Sequence, residues 1–510
     1  MTALSKKRFV FILFDILIVT LTFLFFIWIK PASLRIYLPN YLQPFLIFLG
    51  IWVVVSVLLE KFKIKLIKKE RDVFAPVLIA NITIVIISYL LMYYYHLFNY
   101  SRMIVYGTIL VSTILELILG VTHFYYKKPT DIEEFEDDDR KKLQVVPDYS
   151  QELVGSEDFD ERRKTIRDSV RKEIGVEASA YLEKYMDIGN PKVLILSTTT
   201  LSNIERIEAG KRIALINLRR INDIKRINKF FIEINNKLPD GGLFVGNVET
   251  YVARYHRIMK KFPKGLNKFY YYFIDFPLRR VAPKIPLVKS VYFFLTQGRD
   301  RVLSKAETLG RLYSCGFEVE DEQLIGDRLF FVVKKIREPF DDKNPTYGPF
   351  IRLKRYGKGG KMIGVYKFRT MHPYSEYLQA YVHKMNSLQE GGKFKNDFRV
   401  HTVGKYMRKL WIDELPMFIN VFKGEMKIVG IRPLSKHYFS LYTKEMQERR
   451  LKYKPGLVPP FYVDMPKTLD EIMASEKKYF DAYDKHPFLT DIKYFYKAFY
   501  NIIIKKARSN

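Results

Sequence analysis

The stretch FVFILFDILIVTLTFLFFIWI, residues 9–29, decides the first part of the fold. Its single charged residue is Asp15, and its length matches the roughly 20 residues that an apolar helix needs to cross a bilayer. Three further apolar runs of similar length follow, at 41–59, 73–95 and 103–125. The first run is too long for a signal peptide, and no small-residue cleavage site follows it. The sequence therefore predicts a bundle of four transmembrane helices in residues 1–126.

Basic residues in the loops give the bundle a direction. The loop between the second and third runs carries six Lys and Arg residues, and further basic residues precede the first run and follow the fourth. The other two loops together carry three. Because positively charged loops remain in the cytoplasm, we expect the N-terminus and the whole chain after residue 127 on that side. Membrane lipids are therefore expected partners.

Two carboxylates, Asp15 and Glu116, lie inside the apolar runs. An intramembrane carboxylate is a candidate functional group. The alternatives are a hydrogen bond between helices, or a position near enough to the interface to remain hydrated. We favour these alternatives, since Asp15 lies only seven residues after Arg8.

Composition limits the remaining functions. At 510 residues the chain is long enough for about three domains. A single cysteine, Cys315, excludes a disulfide framework and a cysteine-based metal cluster. The net charge of +30 indicates phosphate-bearing partners, which are nucleic acid, anionic lipid or nucleotide substrates. We expect no nucleic-acid binding, because the chain shows neither a helix-turn-helix pattern nor aromatic residues interleaved with its basic ones.

Two regions of different character follow the membrane runs. Residues 127–190 are polar and contain the acidic block 131–139, which predicts a charged, solvated linker. Residues 191–337 alternate strand and helix patterns, with a capping box that begins a helix at Ser304, and predict an α/β domain. The segment 269–295 is apolar but interrupted by prolines. We expect it either to lie on a membrane surface or to pack as ordinary helices.

The order of motifs in this region, LPDGGLFVG at 238–246, SKAETLGRLYSCGFEV at 304–319 and DRLFFVVKK at 327–335, resembles the later half of a class I methyltransferase fold. That family binds its cofactor at a glycine-rich turn, and the corresponding residues 197–201 contain no glycine. We therefore expect a degenerate Rossmann-like domain that does not bind S-adenosylmethionine.

The last third of the chain carries the candidate chemistry. Basic residues surround glycines at 357–360, and arginine side chains and glycine turns both suit phosphate oxygens. Asp413 and Glu414 precede Pro416, which is tolerated only in the first turn of a helix. We therefore place both carboxylates at a helix N-terminus, where the helix dipole favours their ionised forms and a divalent cation could bind. The alternative is that Asp413 only caps this helix.

Several motifs then occur in order: KFRTM at 367–371, DFR at 397–399, DELP at 413–416, NVFKGEMKIVG at 420–430, RP at 432–433 and KPGL at 454–457. Together they resemble the bacterial sugar transferases, the polyprenyl-phosphate phosphoglycosyl transferases of the monotopic superfamily. Four membrane helices before a Rossmann-like region resemble the large members of that group. The sequence lacks the apolar re-entrant helix that opens the family's domain, since 334–344 is charged here.

The resemblance implies a fold, a reaction and a site. The fold is a transmembrane bundle, a central α/β domain and a C-terminal α/β sugar transferase domain at 338–510. The reaction moves a phosphosugar from a UDP-sugar to polyprenol (undecaprenyl) phosphate at the bacterial inner membrane, starting a surface glycan. Asp413 would be the nucleophile that forms a covalent intermediate, assisted by Glu414 and by Mg²⁺ or Mn²⁺ held by both carboxylates. The basic residues implied for the phosphates and the nucleotide are Lys367, Arg369, Arg399, Arg408 and Arg432.

Two alternatives remain open at this point. A catalytically inactive membrane scaffold that recruits glycan assembly enzymes would keep the fold without the chemistry. The sequence also leaves open whether the chain forms a homo-oligomer.

Overall fold

The computed structural model describes residues 3–29, 33–62, 71–95, 101–127, 129–132, 146–153, 160–340, 348–385 and 397–504. They form two compact units, residues 1–128 and 129–510.

The first unit is built from four long helices. These are α1 (Ala3–Ile29), α2 (Ser33–Leu58), α3 (Arg71–Tyr94) and α4 (Arg102–Lys127). Each contains a stretch of 21 to 26 residues that is long and apolar enough to cross a membrane. The prediction of four apolar spanning helices is confirmed.

A polar cluster lies in the interior of this unit and joins all four helices. Lys61, in the turn after α2, places Nζ 3.0 Å from Asp15 Oδ1 on α1 and 2.8 Å from Glu116 Oε2 on α4. Trp52 on α2 donates to Asp15 at 2.9 Å, and Asn81 on α3 donates to Glu116 at 3.0 Å. We call these five residues the Lys61 cluster. The favoured prediction, a polar contact between helices, is confirmed for both carboxylates.

The described residues of the second unit contain ten strands. Their bounds are β1 (Thr130–Ile132), β2 (Val193–Leu196), β3 (Ala214–Arg220), β4 (Leu243–Val248), β5 (Phe317–Ile325), β6 (Arg328–Lys335), β7 (Phe350–Tyr356), β8 (Met362–Phe368), β9 (Lys427–Val429) and β10 (Gly456–Val458). They form a five-stranded sheet in the order β2-β3-β4-β6-β5, a three-stranded sheet in the order β1-β7-β8, and the pair β10-β9.

Seventeen helices complete the described part of this unit. They are α5 (Ser150–Leu153), α6 (Asp160–Ile174), α7 (Val176–Glu183), α8 (Leu201–Glu205), α9 (Ile227–Lys237), α10 (Tyr251–Lys261), α11 (Leu266–Phe269), α12 (Pro286–Thr296), α13 (Lys305–Ser314), α14 (Gln379–Met385), α15 (Thr402–Lys409), α16 (Phe418–Phe422), α17 (Lys436–Ser440), α18 (Lys444–Leu451), α19 (Phe461–Asp464), α20 (Leu469–Lys485) and α21 (Pro487–Ile503). The predicted cap of α13 is confirmed, because Ser304 Oγ accepts a hydrogen bond from the Glu307 N–H at 3.0 Å.

The five-stranded sheet is covered on both faces. Strands β2, β3 and β4 are parallel, and β6 runs antiparallel to both β4 and β5. One core contains buried side chains of α9 and α13, together with Tyr374, Leu378 and Val382 from beyond the sheet. The central α/β region and the C-terminal region therefore share one hydrophobic core.

The other core of this sheet corrects the prediction for residues 127–190. Val170 of α6, Tyr181 of α7 and Met186 are buried in it against strand residues such as Val332. This stretch is therefore not a solvated linker in its described parts, because its helices bury an apolar side against the sheet. Residues 133–139 of the acidic block lie outside the described residues.

Candidate active site

The KFRTM and DELP motifs, which carry the candidate residues, meet at the end of the β7–β8 hairpin. Lys367 is the next-to-last residue of β8, paired with Ile351 of β7. Its Nζ lies 2.7 Å from Glu414 Oε1, and both side chains are about four-fifths buried. The KFRTM and DELP motifs, 47 positions apart in sequence, are thus joined by an ion pair.

The two carboxylates lie on a short 3₁₀ helix, Ile412–Met417, which leads into α16 at Phe418. A helix therefore begins near Pro416, as predicted. Trp411 caps the 3₁₀ helix with φ +61°, and its ring lies 4.5 Å from that of Tyr462. The alternative that Asp413 is an N-cap is wrong, since Trp411 and Met417 occupy the two capping positions.

The surroundings of Asp413 raise its pKa above the ordinary value of an aspartate. Burial of this half-buried carboxyl raises its pKa, and the charge of Glu414 raises it further. Lys367 and Arg408 act in the opposite direction without cancelling the effect. The direction differs from what we expected from the helix dipole, because a 3₁₀ helix of six residues has a small dipole and burial outweighs it.

Helix α15 brings Arg408 to the site. His401 Nδ1 accepts from the Gly404 N–H at 2.8 Å and caps the helix. A Cβ on Gly404 would lie 2.1 Å from the Thr370 carbonyl oxygen, so only glycine allows this close approach. Arg408 Nε then donates to Thr370 Oγ1 at 3.0 Å. Helix α15 is thereby fixed against the KFRTM motif.

The structure assigns different surroundings to the other predicted basic residues. Arg399 is buried and donates to both carboxylate oxygens of Asp397, at 2.9 and 2.7 Å, and to Gln379 Oε1 at 2.6 Å. Arg369 is buried and donates to the Gly348 carbonyl at 3.1 Å. Arg432 is exposed.

Asn420 is a structural residue of the site that sequence reasoning missed. Its side chain is fully buried, accepts from the Tyr366 N–H at 3.0 Å and donates to the Gly364 carbonyl at 2.8 Å. It also donates to Glu425 at 2.7 Å. These bonds hold α16, and with it the preceding carboxylates, against β8. The only signal in the sequence was a polar residue at the start of the NVFKGEMKIVG motif.

Two motif glycines are explained by a close strand pairing. Strands β9 and β10 are parallel, and a Cβ on Gly456 would lie 2.1 Å from the Gly430 nitrogen. Gly456 N–H also donates to the Ile431 carbonyl at 2.8 Å. The KPGL motif and the end of the NVFKGEMKIVG motif therefore pack backbone against backbone, with no room for a side chain at Gly456.

Comparison with known proteins agrees with this arrangement. Residues 338–505 match the family model of the bacterial sugar transferases. This part of the chain belongs to that family. Similar curated proteins include a galactosyl transferase, CpsE, of Streptococcus agalactiae (33% identical over 159 residues, 30% of this chain and 33% of the relative). Another is the UDP-glucose:undecaprenyl-phosphate glucose-1-phosphate transferase of Klebsiella pneumoniae (38% over 121 residues, 22% of this chain and 23% of the relative).

A third relative is the UDP-N-acetylgalactosamine-undecaprenyl-phosphate N-acetylgalactosaminephosphotransferase of Aeromonas hydrophila, 40% identical over 115 residues, which are 22% of this chain and 24% of the relative. The chain thus spans a third or less of the length of these three relatives.

The carboxylates of Asp413 and Glu414 fit a metal ion whose remaining ligands come from a substrate. Within the described residues there is no group of three or more His, Cys, Asp or Glu side chains that could hold a metal ion alone. Asp413 and Glu414 provide two adjacent carboxylates. Mg²⁺ commonly binds one or two carboxylates and completes its shell with water and substrate phosphates. The pair therefore fits a cation that arrives with a diphosphate.

Proposed function

We propose that the chain transfers a phosphosugar from a UDP-sugar to polyprenol phosphate, and so starts a membrane-linked glycan. The observation that carries the proposal is the Asp413–Glu414 pair with Lys367 Nζ 2.7 Å from Glu414, inside a sugar transferase domain. The names of two relatives support the substrate class, since they combine a UDP-sugar with undecaprenyl phosphate.

In the proposed first step, a carboxylate oxygen of Asp413 attacks the phosphorus that carries the sugar. The bond between this phosphorus and the bridging oxygen breaks, and UMP leaves with the electron pair. In the second step, a phosphate oxygen of polyprenol phosphate attacks the same phosphorus. The acyl phosphate bond breaks, Asp413 is regenerated, and a sugar diphosphate lipid forms.

The electrostatics of Asp413 suit this role. A carboxylate with a raised pKa is a better nucleophile than an ordinary one, provided that it stays ionised. Lys367 and Arg408 favour the ionised form. When the donor binds, Lys367 and Arg408 would contact its phosphates, and the exposed Arg432 would supply a further cation. Glu414 and Asp413 would hold Mg²⁺ or Mn²⁺, which neutralises charge that develops on the phosphate oxygens.

The rest of the chain fits a reaction at the cytoplasmic face of the bacterial inner membrane. The positive loops favour this side for residues after 127, and sugar nucleotides and the lipid acceptor meet there. We also propose that the central sheet is a degenerate methyltransferase-like domain, a proposal supported by β6 lying between β4 and β5. Without a glycine at 197–201, it should give no heat of binding with S-adenosylmethionine in calorimetric titration.

The decisive experiment compares Asp413→Asn with the wild type. The purified full chain is incubated with UDP-sugars and undecaprenyl phosphate, and UMP and lipid-linked product are measured. Removal of a covalent nucleophile should lower turnover by several orders of magnitude. Thermal stability should change little, because the Asp413 side chain caps no helix. Asp481→Asn, which alters an exposed carboxylate paired with Arg449, is the matched control.

Two outcomes would contradict the proposal. Near-wild-type turnover by Asp413→Asn excludes the covalent role of this residue. If the wild type itself releases no UMP with any UDP-sugar that relatives use, the result favours the alternative of a catalytically inactive membrane scaffold.

A further inference from the structure

The central domain carries an exposed apolar surface that the catalytic proposal does not use. It lies on residues 266–296, which we call the kinked segment. This segment runs from α11 through wide π-helical turns and Pro277, Pro283 and Pro286 into α12. Twelve of its described side chains are large, apolar and exposed, among them Phe273 at 71% and Phe294 at 78%. Soluble surfaces rarely expose so many large apolar side chains within one short segment.

The kinked segment is held in place by buried ion pairs on its inner side. Asp275 accepts two hydrogen bonds from Arg254 of α10, at 2.8 and 2.7 Å. Arg280 lies 2.7 Å from Glu307 of α13. The apolar surface is therefore presented by a fixed part of the domain.

The charge around this surface is strongly positive. Residues 251–299 contain eleven Lys and Arg residues and one acidic residue, Asp275, which is buried against Arg254. Exposed lysines at 261, 264 and 268 flank the apolar side chains. Positive charge beside exposed aromatic and aliphatic groups is the pattern of segments that lie in the interface of anionic membranes.

A cationic cavity next to the kinked segment adds to this charge. It has a volume of about 380 Å³ and is lined by nine basic side chains, four of which belong to the segment: Arg279, Arg280, Lys284 and Lys289. Its one acidic lining residue is Glu307, which already contacts Arg280 and Lys284. Burial and the charge of Arg280 lower the pKa of Lys284 to about 7, which agrees with an excess of cations here.

We propose that the kinked segment binds the surface of an anionic phospholipid bilayer. Its apolar side chains enter the boundary between headgroups and acyl chains, and the surrounding Lys and Arg side chains contact lipid phosphates. The segment lies along the bilayer surface and does not span it. Residues 266–284 are held to the domain by the Asp275–Arg254 and Arg280–Glu307 ion pairs, and α12, with 11 residues, covers only about 17 Å of a core that is about 30 Å thick. This proposal is independent of the chemistry at Asp413.

The test uses the full chain with a single added cysteine. The native Cys315 is buried and its pKa is raised to about 12 by burial, so it should resist labelling. Phe273→Cys and Phe294→Cys are labelled with a fluorophore in nanodiscs that contain phosphatidylglycerol and nitroxide-bearing lipids. Leu324→Cys is the matched control, since Leu324 is an apolar residue of β5 that is 58% exposed. We expect strong quenching at 273 and 294, and little at 324.

A charge reversal tests the role of the lysines. Each lysine at an anionic surface changes binding by about fivefold, so Lys264→Glu with Lys268→Glu should lower the ratio of docked to undocked segment by at least about 25-fold. Nanodiscs of phosphatidylcholine alone should reduce quenching in the same direction. Quenching at 273 and 294 equal to that at 324 would overturn the proposal. The proposal would also be overturned if the labels quench one another more strongly at higher protein concentration, whatever the lipid composition. A second copy of the chain would then cover the surface.

Discussion

Lys61→Met is a sharp test of the transmembrane unit, because it removes the one cation of the Lys61 cluster and keeps the length of the side chain. Lys61 is 2% exposed, and the two carboxylates that it contacts are each 5% exposed. Lys61 Nζ also donates to Asn81 Oδ1 at 3.1 Å. The substitution therefore leaves two carboxylates buried close together without a counter-charge.

The expected cost follows from this geometry. Removing one partner of a buried ion pair costs about 3–5 kcal/mol, because the remaining charge is neither hydrated nor compensated. The triple variant Asp15→Asn, Lys61→Met, Glu116→Gln removes all three charges and keeps acceptors for Trp52 and Asn81. Replacing a whole buried ionic group by neutral side chains is often close to neutral. We therefore expect the triple variant to recover most of the lost stability.

The assay is denaturation of the purified full chain in detergent micelles, followed by tryptophan fluorescence. Trp52 reports directly on the cluster, because its ring centroid lies 4.7 Å from Lys61 Nζ and its indole N–H donates to Asp15. The reasoning fails if Lys61→Met unfolds within about 1 kcal/mol of the wild type, which is outside the range for a buried pair. It also fails if the triple variant is no more stable than the single one.

Two further predictions concern the sugar transferase domain. Burial raises the pKa of Asp413, and Lys367 is the charge that opposes this shift most. Lys367→Met should therefore raise the pKa of Asp413 further. The acid limb of the pH profile of UMP release should then move to higher pH. Lys423→Met removes a nearby cation that is not among the charges acting on Asp413, and an equal shift in this variant would contradict the assignment. Gly404→Ala should destabilise the chain by about 1–3 kcal/mol and lower turnover, because its Cβ would overlap the carbonyl of Thr370. Thermal unfolding and UMP release measure both effects, and an unchanged unfolding temperature would show that α15 can move without cost.

The parts of the fold that follow from local sequence were predicted well. The four membrane helices need only length and hydrophobicity, and the cap of α13 needs only Ser304 and the residue three positions later. Residues 127–190 were misjudged because their average composition is polar. The buried side chains there, such as Val170 and Tyr181, become visible only once a sheet face is present to cover them.

The site shows the same division. Asp413, Glu414 and Lys367 could be named as candidates because they stand in contiguous motifs, and the structure brings Lys367 and Glu414 together. Asn420 was missed because its partner, the backbone of Tyr366, lies 54 positions earlier in the chain. The upward shift of the Asp413 pKa could not be predicted either, since it depends on burial by the tertiary fold and the local helix dipole has the opposite sign.

The contacts divide the predicted phosphate-binding residues into two groups with different consequences. Arg399 already directs N–H groups at Asp397 and Gln379, so its main effect is to fix the residues that lead into α15. Lys367 and Arg408, by contrast, act electrostatically on Asp413 itself. Their two positive charges are balanced by the negative charges of Glu414 and of an ionised Asp413, so these four side chains carry no net charge with which to bind a diphosphate. A divalent cation held by Asp413 and Glu414, as proposed above, would supply the missing positive charge, and Lys367 would then be able to contact a phosphate oxygen of the donor.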